Sequence, residues 1–197
     1  MGIEIYKHIF EIDSPLGAIK DMSPDVEAKI NLAAPDLFTL YSTTLPYEVF
    51  PDARQFLAKL VPKRQDGSLK VGIISNYDKR IVSMVEALEL SSYFDFITYS
   101  EESKCSKPQK GIFEDAVSKS GLQNLTKTEI LHIGDDLKKD YIGARDMGWN
   151  AYLIARDEIV RNELLSRQDS INSSTQINID DICDSFRDVE TKLLNVD

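Results

Sequence analysis

The sequence predicts an α/β fold built on a doubly wound parallel sheet. Three observations carry that reading. From about residue 47 to 155, helix and strand patterns alternate four times. The strands are short, near-continuous apolar runs, such as Val71-Gly72-Ile73-Ile74 and Ile130-Leu131-His132-Ile133, as strands covered on both faces require. Each run ends in a small or polar residue that leads into a polar loop, and ligands of open parallel sheets bind at that edge.

Taken in order, residues 1–13 carry Ile3, Tyr6, Ile9 and Phe10 at helical spacing. Ser14-Pro15-Leu16-Gly17 breaks that pattern. Ser23 is placed as the N-cap of a helix with Pro24 in its first turn, running to about Ala34, and another helix starts near Asp36. The alternation begins after Tyr47-Glu48-Val49-Phe50-Pro51-Asp52. Ala53–Leu60 reads as an amphipathic helix, Pro62 to Ser68 as a polar loop, and Leu69–Ile74 as a strand ending at Ser75-Asn76. A helix with Ile81, Val82, Val85 and Leu88 follows, then the strand Phe94–Tyr99, a polar loop from Ser100 to Pro108, and a helix from Ile112 stopped at Gly121. The strand Ile130–Ile133 opens onto Gly134-Asp135-Asp136-Leu137-Lys138-Lys139-Asp140, and Ala151–Ile154 is the next strand. Beyond it a helix over Glu158–Arg167, a polar loop over 168–175, an edge strand at Ile177–Ile179, and a closing helix capped by Asp180 are expected.

Composition narrows the function. With 33 acidic against 23 basic residues, the net charge of −10 over 197 residues disfavours nucleic acid and anionic membranes as partners. It leaves room for a small phosphorylated molecule, because one lysine or metal ion dominates its own surroundings. No apolar run reaches membrane-spanning length and no signal peptide is visible. Cys105 and Cys183 stand far apart as free thiols. The expectation is an intracellular protein, cytoplasmic or nuclear.

Chemistry collects in three loops, each after a strand. Ser75 and Asn76 follow one, Lys107 lies after the next, and Asp135, Asp136 and Asp140 follow the third. In a parallel sheet all three meet on one edge. A hydroxyl, a backbone N–H, an ammonium and clustered carboxylates together suit a phosphoryl group. Ser75 and Asn76 donate to its oxygens, Lys107 neutralises it, and a hard cation such as Mg2+ binds carboxylate oxygens.

With these residues in place, the chain resembles the haloacid dehalogenase-like hydrolase superfamily. The resemblance rests on the strand ending in Ser75-Asn76, on Lys107-Pro108 followed by Ile112-Phe113, and on Gly134-Asp135 with Asp140 further on. Tyr47–Asp52, Ser75–Arg80, Tyr93–Phe96 and Gly148-Trp149 are similar to the haloacid dehalogenase-like hydrolase domain-containing protein 3 group. The resemblance implies a three-layer Rossmannoid core over residues 47–197 and a partial helical cap over 1–46. It implies Mg2+-dependent hydrolysis of a phosphate monoester, with Ser75 and Lys107 catalytic, Ser75, Asn76 and Lys107 on the phosphate, and Asp135 and Asp140 at the metal.

One family element is absent. The family's attacking Asp sits in a loop after a first, central strand, ahead of the cap. The lookalike Phe10-Glu11-Ile12-Asp13-Ser14-Pro15-Leu16 puts Glu11 at that place and Asp13 at the acid/base place. The charges of Glu4 and Lys7 suit a central strand poorly, and Glu is one methylene too long for an in-line attack. The expected core therefore lacks its first strand and its nucleophile. The alternative is a catalytically inactive relative that keeps phosphate and metal binding. Several residues have plainer readings: Asp140 as a helix N-terminal acid, Asp136 as either ligand or turn, His132 as a satisfied core histidine, Asp78 and Arg80 as a surface ion pair, and Cys105 as no nucleophile.

Overall fold

The computed structural model describes residues 47–166 and 177–194. Residues 1–46, expected to be helical and holding Glu11 and Asp13, lie outside the described residues, as do residues 168–175, expected to form a polar loop. Among the described residues, five short strands form the frame: β1 (Gly72–Ser75), β2 (Phe96–Tyr99), β3 (Leu131–Gly134), β4 (Asn150–Ile154) and β5 (Ile182–Cys183). All pairings are parallel, but they form two sheets, β1 with β2, and β3 with β4 and then β5. Ser75 pairs in register with Tyr99, and Gly134 with Leu153. Between β1 and β3 there is no ladder. Their edges face each other across a cavity of about 660 Å³ lined by Gly72 and Ile74 on one side and Leu131, His132 and Ile133 on the other.

Helices cover both faces, so the three-layer reading holds. On one side Ile74, Ala151 and Leu153 pack against Ile112 and Phe113 of α4 (Lys110–Ser120), Ala144 of α5 (Gly143–Asp146), and Trp149. On the other, Ile133 and Ile154 meet Ala53 and Phe56 of α1 (Pro51–Gln65) and Phe186 and Val189 of α7 (Phe186–Leu194). Val71 and Ile73 meet Leu57 and the Ile81 and Val85 stripe of α2 (Arg80–Ala87). Alternation along β4 sends Ala151 and Leu153 to one layer and Ile154 to the other, the period-two signature of a strand buried on both faces. Phe113 is fully buried and stands edge-on to Trp149 (5.3 Å) and His132 (5.7 Å), a favoured aromatic geometry.

Several boundaries differ from the sequence reading. α1 runs through Pro62 to Gln65. The hydrogen bond that Pro62 cannot donate is one bond near the helix end, and Arg64 anchors the last turn to Asp95 Oδ2 (2.8 Å) and the Ser92 carbonyl (2.5 Å). The start of the Ser100–Pro108 loop is a helical turn, α3 (Ser100–Ser103). α6 (Glu158–Ser166) is found where a helix was expected. The edge strand is Ile182–Cys183, not Ile177–Ile179, and Asp180 does not cap the closing helix. The cap is supplied from a distance. Asp52 accepts the Phe186 N–H at 2.8 Å and both guanidinium nitrogens of Arg156 at 3.1 and 3.2 Å, joining the starts of α1 and α7 to the end of β4. Periodicity cannot reveal a cap 134 residues away in sequence.

Candidate active site

The three polar loops meet, because parallel strands deliver their C-terminal ends to one edge. The contact is built from Lys107. Its backbone N–H donates to Asn76 Oδ1 (2.6 Å), and Asn76 Nδ2 donates to its carbonyl (3.0 Å). Its buried Nζ donates to the Ile74 carbonyl (2.8 Å) and to Asp140 Oδ1 (2.5 Å). One lysine therefore ties the loop after β1 and the loop after β2 to the loop after β3. Ser75 is half-buried beside this lysine, and its hydroxyl has no partner among the described residues.

Asp140 reaches Lys107 because of the backbone around it. After β3 the chain forms a wide turn, Leu137–Ile142, with π-helical bonding. The Asp136 carbonyl accepts from both Asp140 N–H (2.9 Å) and Tyr141 N–H (3.2 Å). Wide turns of this kind are concentrated at functional sites, and here the turn carries Asp140 inward. Gly134 makes room: a Cβ there would lie 2.3 Å from Asp140 Cγ. Asp140 Oδ1 also meets His132 Nε2 at 3.1 Å, and Oδ2 accepts the Asp136 N–H at 3.1 Å.

Electrostatics follow from that packing. Burial alone would raise the Asp140 carboxyl, but the His132 hydrogen bond and the Lys107 charge outweigh it and hold it well below its ordinary value. Burial pushes His132 down to about 4, so the ring is neutral at neutral pH despite its carboxylate neighbour. Asp135 differs from both. Its side chain opens to solvent at the rim and has no partner among the described residues. Surrounding protein nevertheless strips some of its solvation, and the Asp140 charge adds to that, so its pKa is raised.

The site residues read from sequence thus fall into distinct positions. Ser75, Asn76, Lys107 and Asp140 are brought together, with Asp135 at the adjoining rim. The Asn76 side chain is committed to holding Lys107, which leaves its backbone N–H for a ligand. Asp136 is a cap, its carboxylate accepting the Lys138 and Lys139 N–H groups at 2.9 and 2.7 Å. His132 is the satisfied core histidine expected, but its partner is Asp140, so it orients the site from beneath. Asp78 and Arg80 form the ion pair expected, and it is bidentate: Arg80 Nε donates to Asp78 Oδ1 (2.8 Å) and Nη2 to Oδ2 (2.6 Å). The close approach of Gly134 to Asp140 and the identity of His132's partner escaped the sequence reading, because both depend on how the turn after β3 folds back. Among the described residues no three His, Cys, Asp or Glu side chains gather to hold a metal, and no helix is long and apolar enough to cross a membrane.

A parallel α/β core with an Asn–Lys–Asp junction at the strand ends defines a class, and comparison with known proteins names it. The chain belongs to the haloacid dehalogenase-like hydrolase family, whose sequence model matches residues 15–148. The rhythmically expressed gene 2 protein of Drosophila melanogaster is 33% identical over 128 residues, 65% of this chain and 49% of that protein. Haloacid dehalogenase-like hydrolase domain-containing protein 3 of Xenopus laevis is 33% identical over 121 residues, 61% of this chain and 47% of that protein, so the finer likeness to that group stands. The chain spans about half the length of these relatives. Among solved structures, a phosphatase of the family from Thermococcus onnurineus superimposes with a TM-score of 0.61 at 20% identity, covering 86% of this chain and 70% of that one. The hydrolase YfnB of Bacillus subtilis, described as bound to magnesium, superimposes at 0.54 and 17% identity over 76% of this chain and 56% of that one. At such identities these two define the fold.

Proposed function

We propose that the junction is a phosphate-monoester site of Mg2+-dependent phosphatase type, acting on a small phosphorylated molecule. The supporting observation is the Asn76–Lys107–Asp140 bonding across three loops beside a Ser75 hydroxyl without a partner among the described residues. Ser75 Oγ–H and the Asn76 N–H donate to phosphoryl oxygens. Lys107, held by the Ile74 carbonyl and Asp140, presents its charge at a fixed place, so no reorganisation is needed as charge moves onto the leaving oxygen. Asp135 would hold the metal. A solvent-open carboxylate bonded to no other described residue fits Mg2+, which keeps several waters and takes one or two carboxylates. Asp140 would act at one remove, because its oxygens are already engaged. Bound Mg2+ would neutralise phosphoryl charge and lower the cost of attack.

A specific observation favours a second reading, phosphate and metal binding without turnover. Neither neighbouring carboxylate is free to attack phosphorus: Asp136 caps a turn and Asp140 is paired with Lys107. A p-nitrophenyl phosphate assay with Mg2+, run beside an inorganic phosphate titration, decides. Turnover lost in Lys107→Ala, in Asp135→Asn and with chelator supports the first reading. Phosphate binding without turnover supports the second, and absence of both sinks the site.

A further inference from the structure

Two adjacent residues of the wide turn after β3 are held from different directions. Asp140 meets Lys107 and His132. Tyr141 buries its ring, 3% exposed, in the layer that also holds Phe113, Ala144 and Trp149. Its hydroxyl donates to Asp181 Oδ2 at 2.7 Å and accepts the Asn178 N–H at 3.1 Å. Both partners belong to the segment that leads into β5, 37 and 40 positions further along the chain.

The bonding of the turn explains why it needs such a hold. In an α-helical turn the Tyr141 N–H would meet the Leu137 carbonyl. Here it meets the Asp136 carbonyl, and the Gly143 N–H meets the Lys138 carbonyl. Each bond is one residue wider than the α pattern, and such turns are rare. Relaxation to the α pattern would swing the turn relative to β3 by up to about 100°, the angle of one helical residue, and would take Asp140 off Lys107.

The partner segment is itself fixed. Asn178 Oδ1 accepts the Asp180 N–H at 3.2 Å, and Lys192 Nζ of α7 donates to the Asp180 and Ile182 carbonyls at 2.5 and 3.1 Å. β5 then pairs with Leu153 and Ile154. The Tyr141 hydroxyl therefore ties the turn to a helix and a sheet edge rather than to a loose loop.

We propose that Tyr141 is a positioning residue of the site. Its hydroxyl, held by Asp181 and Asn178, keeps the turn wide, and the wide turn keeps Asp140 on Lys107. Tyr141 acts through Asp140 and then through Lys107, whose charge the anion meets. The segment before β5, which supplies no group to the anion, thereby sets the affinity of the site. This rests on the reading of the junction as a phosphate site.

Tyr141→Phe removes the hydroxyl and keeps the ring. Titration of the full chain with inorganic phosphate should show affinity weakened by about fivefold, the ratio expected when one hydrogen bond to a charged group is lost. Asp181→Ala should weaken it as well, and the double variant should be no weaker than the weaker single one, because both changes cut one bond. The imidazole nitrogen NMR signals of His132 at neutral pH read the same event without phosphate. In Tyr141→Phe and in Asp181→Ala they should move toward their positions in Asp140→Asn. Arg64→Ala, which instead cuts the bonds from α1 to Asp95 and Ser92, should lower the melting temperature and leave both readouts unchanged. Unmoved His132 signals in Tyr141→Phe would overturn the proposal. So would additive losses in the double variant, or an equal loss in Arg64→Ala. A parent protein that binds no phosphate sinks the site reading, and the His132 signals still decide whether Tyr141 places Asp140.

Discussion

Set side by side, the two sheets bring opposite chemistry to one edge. β1 and β2 lead into Ser75, Asn76 and Lys107, which are donors. β3 leads into Asp135, Asp136 and Asp140, which are acceptors. The first sheet has two strands and leans on α2, α4 and α1; the second has three, locked at its far side by Asp52, Arg156 and the start of α7. No ladder joins them among the described residues. They are held by apolar packing through α1 and α4 and, at the site, by Lys107, which touches the Ile74 carbonyl with the same Nζ that meets Asp140. In most sheets the backbone provides the connection and the site rests on it. Among the described residues, the contact that assembles the site also links the two sheets.

Breaking that fastening should therefore be costly. Asp140→Ala leaves the Lys107 ammonium buried without its counter-charge. Loss of one partner of a buried pair costs about 3–5 kcal/mol, and the first sheet should lose amide protection before the second. Urea denaturation with hydrogen exchange reads both, and an Asp140→Ala protein as stable as the parent would show that packing alone fastens the sheets.

Acid should weaken the second sheet next. His132 has its folded pKa depressed to about 4 against 6.5 for the unfolded chain, so the unfolded state takes up the proton first. The stability that neutral His132 represents is fully present above pH 6.5 and is lost as pH falls through about 4. The loss is about 3 kcal/mol at most. Thermal melts from pH 7 to 4 should show it, with the slope reduced in His132→Gln.

Smaller effects fall on individual parts of the junction. Gly134→Ala drives a methyl into Asp140 and should cost about 1–3 kcal/mol, while lowering phosphate affinity more than Asp136→Ala does. Asn76→Ala removes both bonds that hold the Lys107 backbone and should cost about 1–3 kcal/mol, with the change seen mainly in KM or phosphate affinity. Ser75→Ala should shift stability by no more than about 0.5 kcal/mol, because the hydroxyl has no partner among the described residues, yet phosphate binding should fall clearly. An unchanged phosphate titration for Ser75→Ala would place the anion elsewhere.

The strands, their parallel order and the polar loops were legible because each signal is local. An apolar run ending in Ser75 or Gly134 announces a strand end, and parallel topology carries those ends to one edge. Lys107 was legible for the same reason. Asp140 was legible as a residue of the acidic loop, placed near the metal by the resemblance. Its bond to Lys107 was not legible, because the wide turn over Leu137–Ile142 and the missing side chain at Gly134 bring it there. Asp136 could be settled only by seeing its carboxylate on the Lys138 and Lys139 amides.

The misplaced edge strand shows the same limit. Ile177–Ile179 and Ile182–Cys183 have similar β character, and pairing with Leu153 and Ile154 decided between them.

By itself, then, the sequence determined the fold class and the three loops that carry chemistry, because hydrophobic period and strand-end residues act over a few positions. Only the tertiary structure decided that one lysine would link the two described sheets and that His132 would stay neutral beneath Asp140. Those features depend on burial and on hydrogen bonds between residues tens of positions apart, and no local pattern encodes them.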